Sequence, residues 1–200
     1  GIHAEEVALE ETDRIPTYME NKNYGKIGED LVHIYDTPSA TDKDPSLWVL
    51  VFFALFFAMI IGDAGYGILF VGIVLYLGYK FKKMTLLGLR VWKLAWILAG
   101  ACIVWGVLVN TFFGVAPAPD SPLMKFSLVN WLVKKRIAYH VQQHDATYEA
   151  WTVNHPNTKG MNDPQEIIMN GIEKGGNGET DYVLYAQFAD QVMMELALFI

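Results

Sequence analysis

The 33 residues from Leu47 to Tyr79 contain a single charged side chain, Asp63, and this run constrains the fold more than any other feature of the chain. A helix at a protein–water boundary keeps a polar face, and this run has none to offer. As one straight helix it would be about 50 Å long at roughly 1.5 Å per residue, whereas a bilayer core is about 30 Å thick. The surplus requires steep tilt, projection beyond the membrane, or a break. A break is available at the midpoint, Gly62-Asp-Ala-Gly-Tyr-Gly67, where three glycines surround the charge. Each glycine weakens a helix, and a carboxylate at bilayer depth costs roughly 2.5–3.5 kcal/mol on insertion scales. Non-helical backbone survives there only against protein or a wet cavity. The expectation is two short helices joined at the motif, a broken transmembrane hairpin over 47–79.

A second uncharged run, Leu94–Ala116, reads as a single span ended by Pro117 and Pro119. Between the two runs, Lys80, Lys82, Lys83, Arg90 and Lys93 crowd into the loop 80–93, which the positive-inside rule assigns to the cytoplasm. If the polar lead-in 1–46 is cytoplasmic too, the first run must cross an even number of times, as a hairpin does. Residues 117–181 then form an external helical loop. Its Lys125, Lys134, Lys135 and Arg136 are discounted, because loops beyond about 60 residues translocate largely regardless of charge.

Finer organisation follows from spacing and turn residues. In the lead-in, Ile27, Leu31, Val32, Ile34 and Tyr35 suit a short amphipathic helix, and Asp44-Pro45 reads as N-cap and first helical residue of the next. Phe126–Trp151 has helical spacing, Asn154–Asp163 is turn-rich, Pro164–Ile172 reads as a short helix and Gly175–Gly178 as a flexible tip. Residues 182–200 read as the start of a further membrane helix, with Gln187, Asp190, Gln191 and Glu195 on one stripe turned toward protein. The fold class expected is all-α, a polytopic membrane protein fragment. It comprises a broken-helix hairpin, a further transmembrane helix, a helical outer loop and the start of another helix.

Composition excludes several alternatives. Hydrophobic residues make up 52% of the chain and charged residues 18%, and the one cysteine, Cys102, rules out a disulfide-stapled domain. The net charge of −7, concentrated outside the apolar runs, argues against nucleic acid as a partner. A start at Gly1 and an end inside an apolar stretch at Ile200 read as an internal piece of something longer.

Few residues carry chemistry. Asp63 is either a carboxylate in a polar cavity that exchanges or steers a cation, or a cap that accepts backbone N–H groups of the broken helix. Gly62, Gly65 and Gly67, with Gly100, Gly106 and Gly114 on the next span, suit close helix–helix contact. A phosphate-cradling loop is excluded, since no strand precedes the motif and no lysine follows it in Walker order. His140 and His144 stand four apart beside Asp145, a spacing able to bind zinc, with His155 as a third ligand; a solvated helical face is the plainer reading. Cys102 reads as a packed small hydrophobe. No nucleophile–base constellation can be assembled, and no cofactor is expected.

Several of these residues also carry a family resemblance. Ile15-Pro-Thr, Asn23, Ile34-Tyr-Asp-Thr-Pro38, Asp44-Pro-Ser46 and then Phe52-Phe-Ala-Leu-Phe-Phe-Ala-Met-Ile-Ile-Gly-Asp-Ala-Gly-Tyr-Gly67 resemble the membrane-embedded stator subunit of V/A-type rotary ATPases. That is subunit a of the eukaryotic enzymes and subunit I of bacteria and archaea. Trp105-Gly-Val-Leu-Val-Asn-Thr-Phe-Phe-Gly-Val115 looks like a second landmark of the family. The resemblance spans about residues 15–116, and its most specific part is the Gly-Asp-x-Gly-Tyr-Gly core. It implies a non-enzymatic subunit of an ion-transporting complex, with ATP hydrolysed on other subunits. Its partners would be rotor-ring membrane subunits, peripheral-stalk subunits and the lipid bilayer, in a bacterial or archaeal plasma membrane. Gly62, Asp63, Gly65, Tyr66 and Gly67 would then serve the H⁺ or Na⁺ pathway or the scaffold. The family's rotor-facing arginine belongs to later helices, and no arginine lies inside either apolar run here. Two other classes compete: a membrane-anchored metal-dependent enzyme using His140, His144 and Asp145 in an external domain, and a small structural membrane protein.

Overall fold

The computed structural model describes residues 17–39, 42–174 and 180–199. Their regular structure is helical, with short 3-10 turns at Pro122–Phe126 and Pro156–Thr158, apart from one antiparallel pair of two-residue strands, β1 (Glu173–Lys174) with β2 (Thr180–Asp181). The helices are α1 (Tyr24–Tyr35), α2 (Ser46–Ile61), α3 (Ala64–Lys80), α4 (Leu86–Val109), α5 (Leu128–Gln143), α6 (Ala146–Asn154), α7 (Pro164–Asn170) and α8 (Val183–Phe199). The flexible tip expected at Gly175–Gly178 lies outside the described residues except for its flanks, as do Ile15, Pro16 and Ile200.

The long apolar run breaks at its glycine motif. α2 ends on Gly62, whose φ of 61° is left-handed backbone that a side chain would strain, and α3 begins after the extended Asp63. The chain turns by 119° across the break, so α2 and α3 form a V. α4 lies in that V. Leu50 near the start of α2 belongs to one apolar cluster with Leu94 and Ile97. Gly106 packs against the break, and Trp92 Nε1 donates to the carbonyl of Val74 at 3.0 Å. Hence α2 runs parallel to α4, α3 runs antiparallel to it, and both open ends of the V lie beside the start of α4. α1 sits at that end too, with Asp30 ion-paired to Arg90 and Gly28 against the carbonyl of Ser46. α2 starts one residue later than expected: Pro45 is its cap, and Asp44 Oδ1 accepts the N–H of Ser46 at 2.9 Å.

The next apolar helix is shifted from the expected 94–116. It starts at Leu86, because Thr85 caps it, Oγ1 accepting from Gly88 N–H at 3.1 Å, and Arg90 and Lys93 are part of the helix, not of a loop. It ends at Val109, because Asn110 adopts left-handed backbone at φ 64°; Pro117 and Pro119 stand beyond it in the following loop. Among the described residues α4 is the one helix long and apolar enough by itself to cross a membrane, and the bent pair α2–α3 meets the same criterion jointly.

Residues 122–174 and 180–199 build a second unit around its own core. The helical spacing over Phe126–Trp151 belongs to two helices, since His144 is left-handed at φ 48° and Asp145 caps α6, accepting from Tyr148 N–H at 3.0 Å. Val133 and Ile137 of α5, Trp151 of α6, Ile167 and Ile168 of α7, and Leu184 and Phe188 of α8 form the core. α8 thereby reverses one expectation: its apolar face meets protein, while Gln187, Asp190, Gln191 and Glu195 are exposed. α8 packs with the outer helices, so the boundary drawn at 181/182 does not separate two packed units. Ser127 ties this bundle to α4, its hydroxyl donating to the carbonyl of Leu108 at 3.2 Å.

Candidate functional site

The most organised polar feature is built on the one charge of the first apolar run. Asp63 is buried, with 3% of its surface exposed, and its carboxylate accepts three backbone N–H groups. Oδ1 takes Tyr66 N–H at 3.1 Å and Phe113 N–H at 2.8 Å, and Oδ2 takes Gly114 N–H at 2.6 Å. The first is an N-cap bond that satisfies one orphan donor of α3. The other two come from the turn after α4, so one side chain ties the broken helix to the end of its neighbour. Main-chain bonds complete the joint: Ala64 N–H donates to Thr111 O at 2.9 Å and Thr111 N–H to Gly106 O at 2.9 Å.

The turn that donates to Asp63 exists because α4 stops early. Left-handed Asn110 reverses the chain, Phe112 and Val115 exchange backbone bonds at 3.0 Å each way, and Gly114 takes φ 75°. The Phe113 ring then lies edge-on to Tyr66, 5.8 Å between centroids. The two stretches that carry the family resemblance are thus in contact, Gly62–Gly67 with Asn110–Val115.

The glycines are used unequally. A Cβ at Gly106 would fall inside the backbone of Asp63 and Ala64, one at Gly65 would stand 2.5 Å from the Phe113 ring, and one at Gly67 would stand 2.7 Å from Ile103. These three admit the close approach of α4 to the break. Gly100 has open space around it and Gly114 lies in the turn, so neither serves the helix contact expected of it. Gly106, Asn110, Phe113 and Gly114 were not assigned to the Asp63 site from sequence. The signal available was Asn110 followed four residues later by Gly114, a helix-stop pattern, masked by the stronger proline pair downstream.

His140 and His144 do not share one helical face, because α5 ends between them. His140 Nδ1 is 2.6 Å from Asp145 Oδ2, and its ring lies among Tyr139, Trp151 and Phe188. His144 sits against Tyr148 instead, 4.8 Å between ring centroids. The His140 partner holds the Asp145 carboxyl below the usual carboxylate range. His155 is buried beyond the end of α6. Among the described residues no group of three or more His, Cys, Asp or Glu side chains is arranged to hold a metal ion. Cys102 is buried on α4, where its backbone lies against Gly67 of α3.

The lead-in has its own polar joint. Glu29 of α1 is buried; burial raises its carboxyl, but hydrogen bonds from Lys26 and from Asn21 N–H outweigh this and hold it low. Asn21 also donates to Asp44 at 2.5 Å, so α1 and the start of α2 are fastened together.

Comparison with known proteins bears on all of this. Over 203 aligned positions the chain is 41% identical to the V-type ATP synthase subunit I of Chlamydia pneumoniae and 38% identical to that of Chlamydia muridarum, covering 100% of this chain and 31% of each relative. It is 31% identical over 145 positions to the V-type ATP synthase subunit I of Borreliella burgdorferi, covering 70% of this chain and 24% of that protein. The chain therefore spans about a third of the length of the chlamydial relatives. No family model matches it.

Proposed function

The chain belongs to the subunit I family of V-type and A-type ATP synthases, and we propose that it supplies part of that subunit's membrane-embedded stator, with the Asp63 joint as a fixed scaffold. The observation that carries this reading is the engagement of both Asp63 carboxylate oxygens by three amides from two chain segments. A carboxylate offers about four acceptor positions. One that exchanges a cation must give up its partners at each cycle, and here that would open the contact between α3 and α4. The buried, bonded state suits a member that must not move while a rotor turns against it.

Topology supports the same reading. α2 and α3 are about 24 and 26 Å long; splayed evenly as the 119° bend requires, they reach about 21–22 Å into a bilayer core of about 30 Å, so the tip lies in its far half. The Asp30–Arg90 pair gathers α1, both open ends of the V and the start of α4 at one end. Lys80, Lys82, Lys83 and Lys93 share that end, which makes it cytoplasmic by charge. α1 and the lead-in then face the peripheral-stalk subunits that the stator anchors, and the helical bundle of α5–α8 lies outside. The apolar outer faces of α2, α3 and α4 meet lipid, the rotor ring or neighbouring stator helices that border the H⁺ or Na⁺ pathway. The subunit is not itself an enzyme; ATP turnover resides elsewhere in the complex, in a bacterial or archaeal plasma membrane.

The test uses Asp63→Asn in the whole complex. Loss of the Gly114 bond, whose acceptor becomes an NH2 group, and of the charge behind the bonds that Oδ1 keeps should lower the yield and heat resistance of assembled complex, while ion pumping per assembled complex is kept. Normal assembly with abolished pumping would instead assign Asp63 to the ion path and overturn the scaffold reading. Sidedness is tested separately, in a Cys102→Ala background, by single cysteines at Lys43 and Lys82. Both should react from the cytoplasmic face; reaction from opposite faces rejects the V as a hairpin across the bilayer.

A further inference from the structure

Two apolar grooves flank the turn between α3 and α4. One, of about 350 Å³, is lined by Leu77, Val91 and Ala95, and the other, of about 320 Å³, by Gly78 and Leu89; both also use Phe81, Met84 and Trp92. Those three side chains are shared by the two grooves, which therefore adjoin. Lys83 lines the first groove and Lys82 the second, and both are exposed. The ion pairs among the described residues use neither of them, nor Lys80. Lys80 Nζ stands 5.7 Å over the Tyr76 ring and Lys82 Nζ 5.9 Å over the Tyr79 ring, which keeps these cations at the aromatic rim. Trp92 Nε1 is already committed to Val74, so the grooves themselves ask for apolar matter and the rim for negative charge.

We propose that this turn binds one anionic phospholipid, with an acyl chain in each groove and the phosphate held between Lys82 and Lys83. Basic pockets at the cytoplasmic edge of membrane helices attract anionic headgroups. Two adjoining apolar grooves, each with a lysine in its lining, match a molecule with two chains and one head. Charge complementarity selects the anionic class, because a zwitterionic head carries the same phosphate but offsets it with its own cation and brings no net negative charge to the lysines. The proposal rests on the reading of this turn as lying at the membrane surface.

The experiment reconstitutes the intact ATP synthase into vesicles of equimolar phosphatidylglycerol and phosphatidylcholine, re-extracts it in mild detergent and counts retained lipid by mass spectrometry. The wild-type complex should retain phosphatidylglycerol in preference to phosphatidylcholine. Lys82→Gln/Lys83→Gln should lower phosphatidylglycerol retention about fivefold or more and leave phosphatidylcholine unchanged. Val91→Phe, which fills the first groove, should lower it with both lysines in place. Equal retention of the two lipids by wild type, or undiminished phosphatidylglycerol in the double variant, overturns the site. So does a photo-crosslinker at Lys83 that captures another subunit in place of lipid. A cysteine at Lys83 separates the two levels of failure. Reaction only from the outer face removes the topology; cytoplasmic reaction without lipid preference removes the lipid site alone.

Discussion

The two halves of this chain are both helical, yet they are packed inside out relative to one another. Where α2 and α3 meet α4, most of the buried side chains are small: Ala54, Ala58, Ala64, Ala99 and Cys102, with Gly65, Gly67 and Gly106. Large side chains such as Trp48, Phe56, Ile68, Ile73 and Leu75 are exposed. In the bundle of α5–α8 the order is the usual one, with Ile137, Trp151, Ile167, Leu184 and Phe188 inside and Lys, Gln and Asp outside. Large apolar groups go inside when the surroundings are water, because their burial is what drives the fold. When the surroundings are lipid that drive is absent, and small residues that let backbones approach become the contact. The difference is the one that the proposed setting, lipid around the first unit and water around the second, would produce.

The largest test of this contrast is at Gly106. Any side chain there enters the backbone of Asp63 and Ala64, so Gly106→Val should cost more than about 3 kcal/mol and abolish accumulation of assembled complex, read on native gels. Gly100 is in the same helix with open space beside it. Gly100→Ala should therefore be tolerated, or raise stability by up to about 1 kcal/mol through helix propensity alone. Equal loss at both glycines would mean that helix propensity, and not close approach, governs α4.

A second test exchanges the solvents. Ile73 is 46% exposed near the middle of α3, and Val153 is 76% exposed on α6. Aspartate at Ile73 should carry the mid-bilayer penalty of about 2.5–3.5 kcal/mol and reduce membrane insertion, scored by carbonate extraction. Aspartate at Val153 should change stability by less than about 0.5 kcal/mol. If Ile73→Asp inserts and assembles normally, the outer face of α3 lines water and the contrast fails there.

Much of this was legible beforehand. The break at Gly62 followed from three glycines around one carboxylate, whereas charge placed only the basic loop and the lead-in was assumed to share its side. What was not legible depends on distant partners. The cap reading of Asp63 could be weighed from its own neighbours, but Phe113 and Gly114 lie fifty residues away in sequence, and no periodicity links them. The start of α4 was hidden because Arg90 and Lys93 look like loop residues until Asp30 appears opposite Arg90. The spacing of His140 and His144 implied one face, but the left-handed turn at His144 was masked by continuous helical spacing on either side. α8 was read by its polar stripe, whereas Leu184, Phe188 and Val192, spaced four apart, form the face that packs.

The smallest effect belongs to the α5–α8 bundle, at the α5–α6 corner. Asp145 has two tasks, accepting the Tyr148 N–H as N-cap of α6 and pairing with His140. The hydrogen bond to His140 is the chief reason its carboxyl is held below the ordinary range. A carboxyl whose folded pKa is depressed adds stability above its unfolded value, about 3.9 for Asp, and loses it as pH falls through the folded value. The corner should therefore be fully supported at neutral pH and loosen only below about pH 4. Asn keeps the capping oxygen but not the charge, so Asp145→Asn isolates the pairing from the cap. Protease cleavage between α5 and α6 in the intact complex is the measurement. Wild type should become more susceptible as pH drops below that point, and Asp145→Asn should show a flatter response with slightly higher cleavage at neutral pH. An unchanged acid response in the variant would move the sensitivity to another carboxylate, with the Glu195–Arg136 pair that joins α8 to α5 next in line.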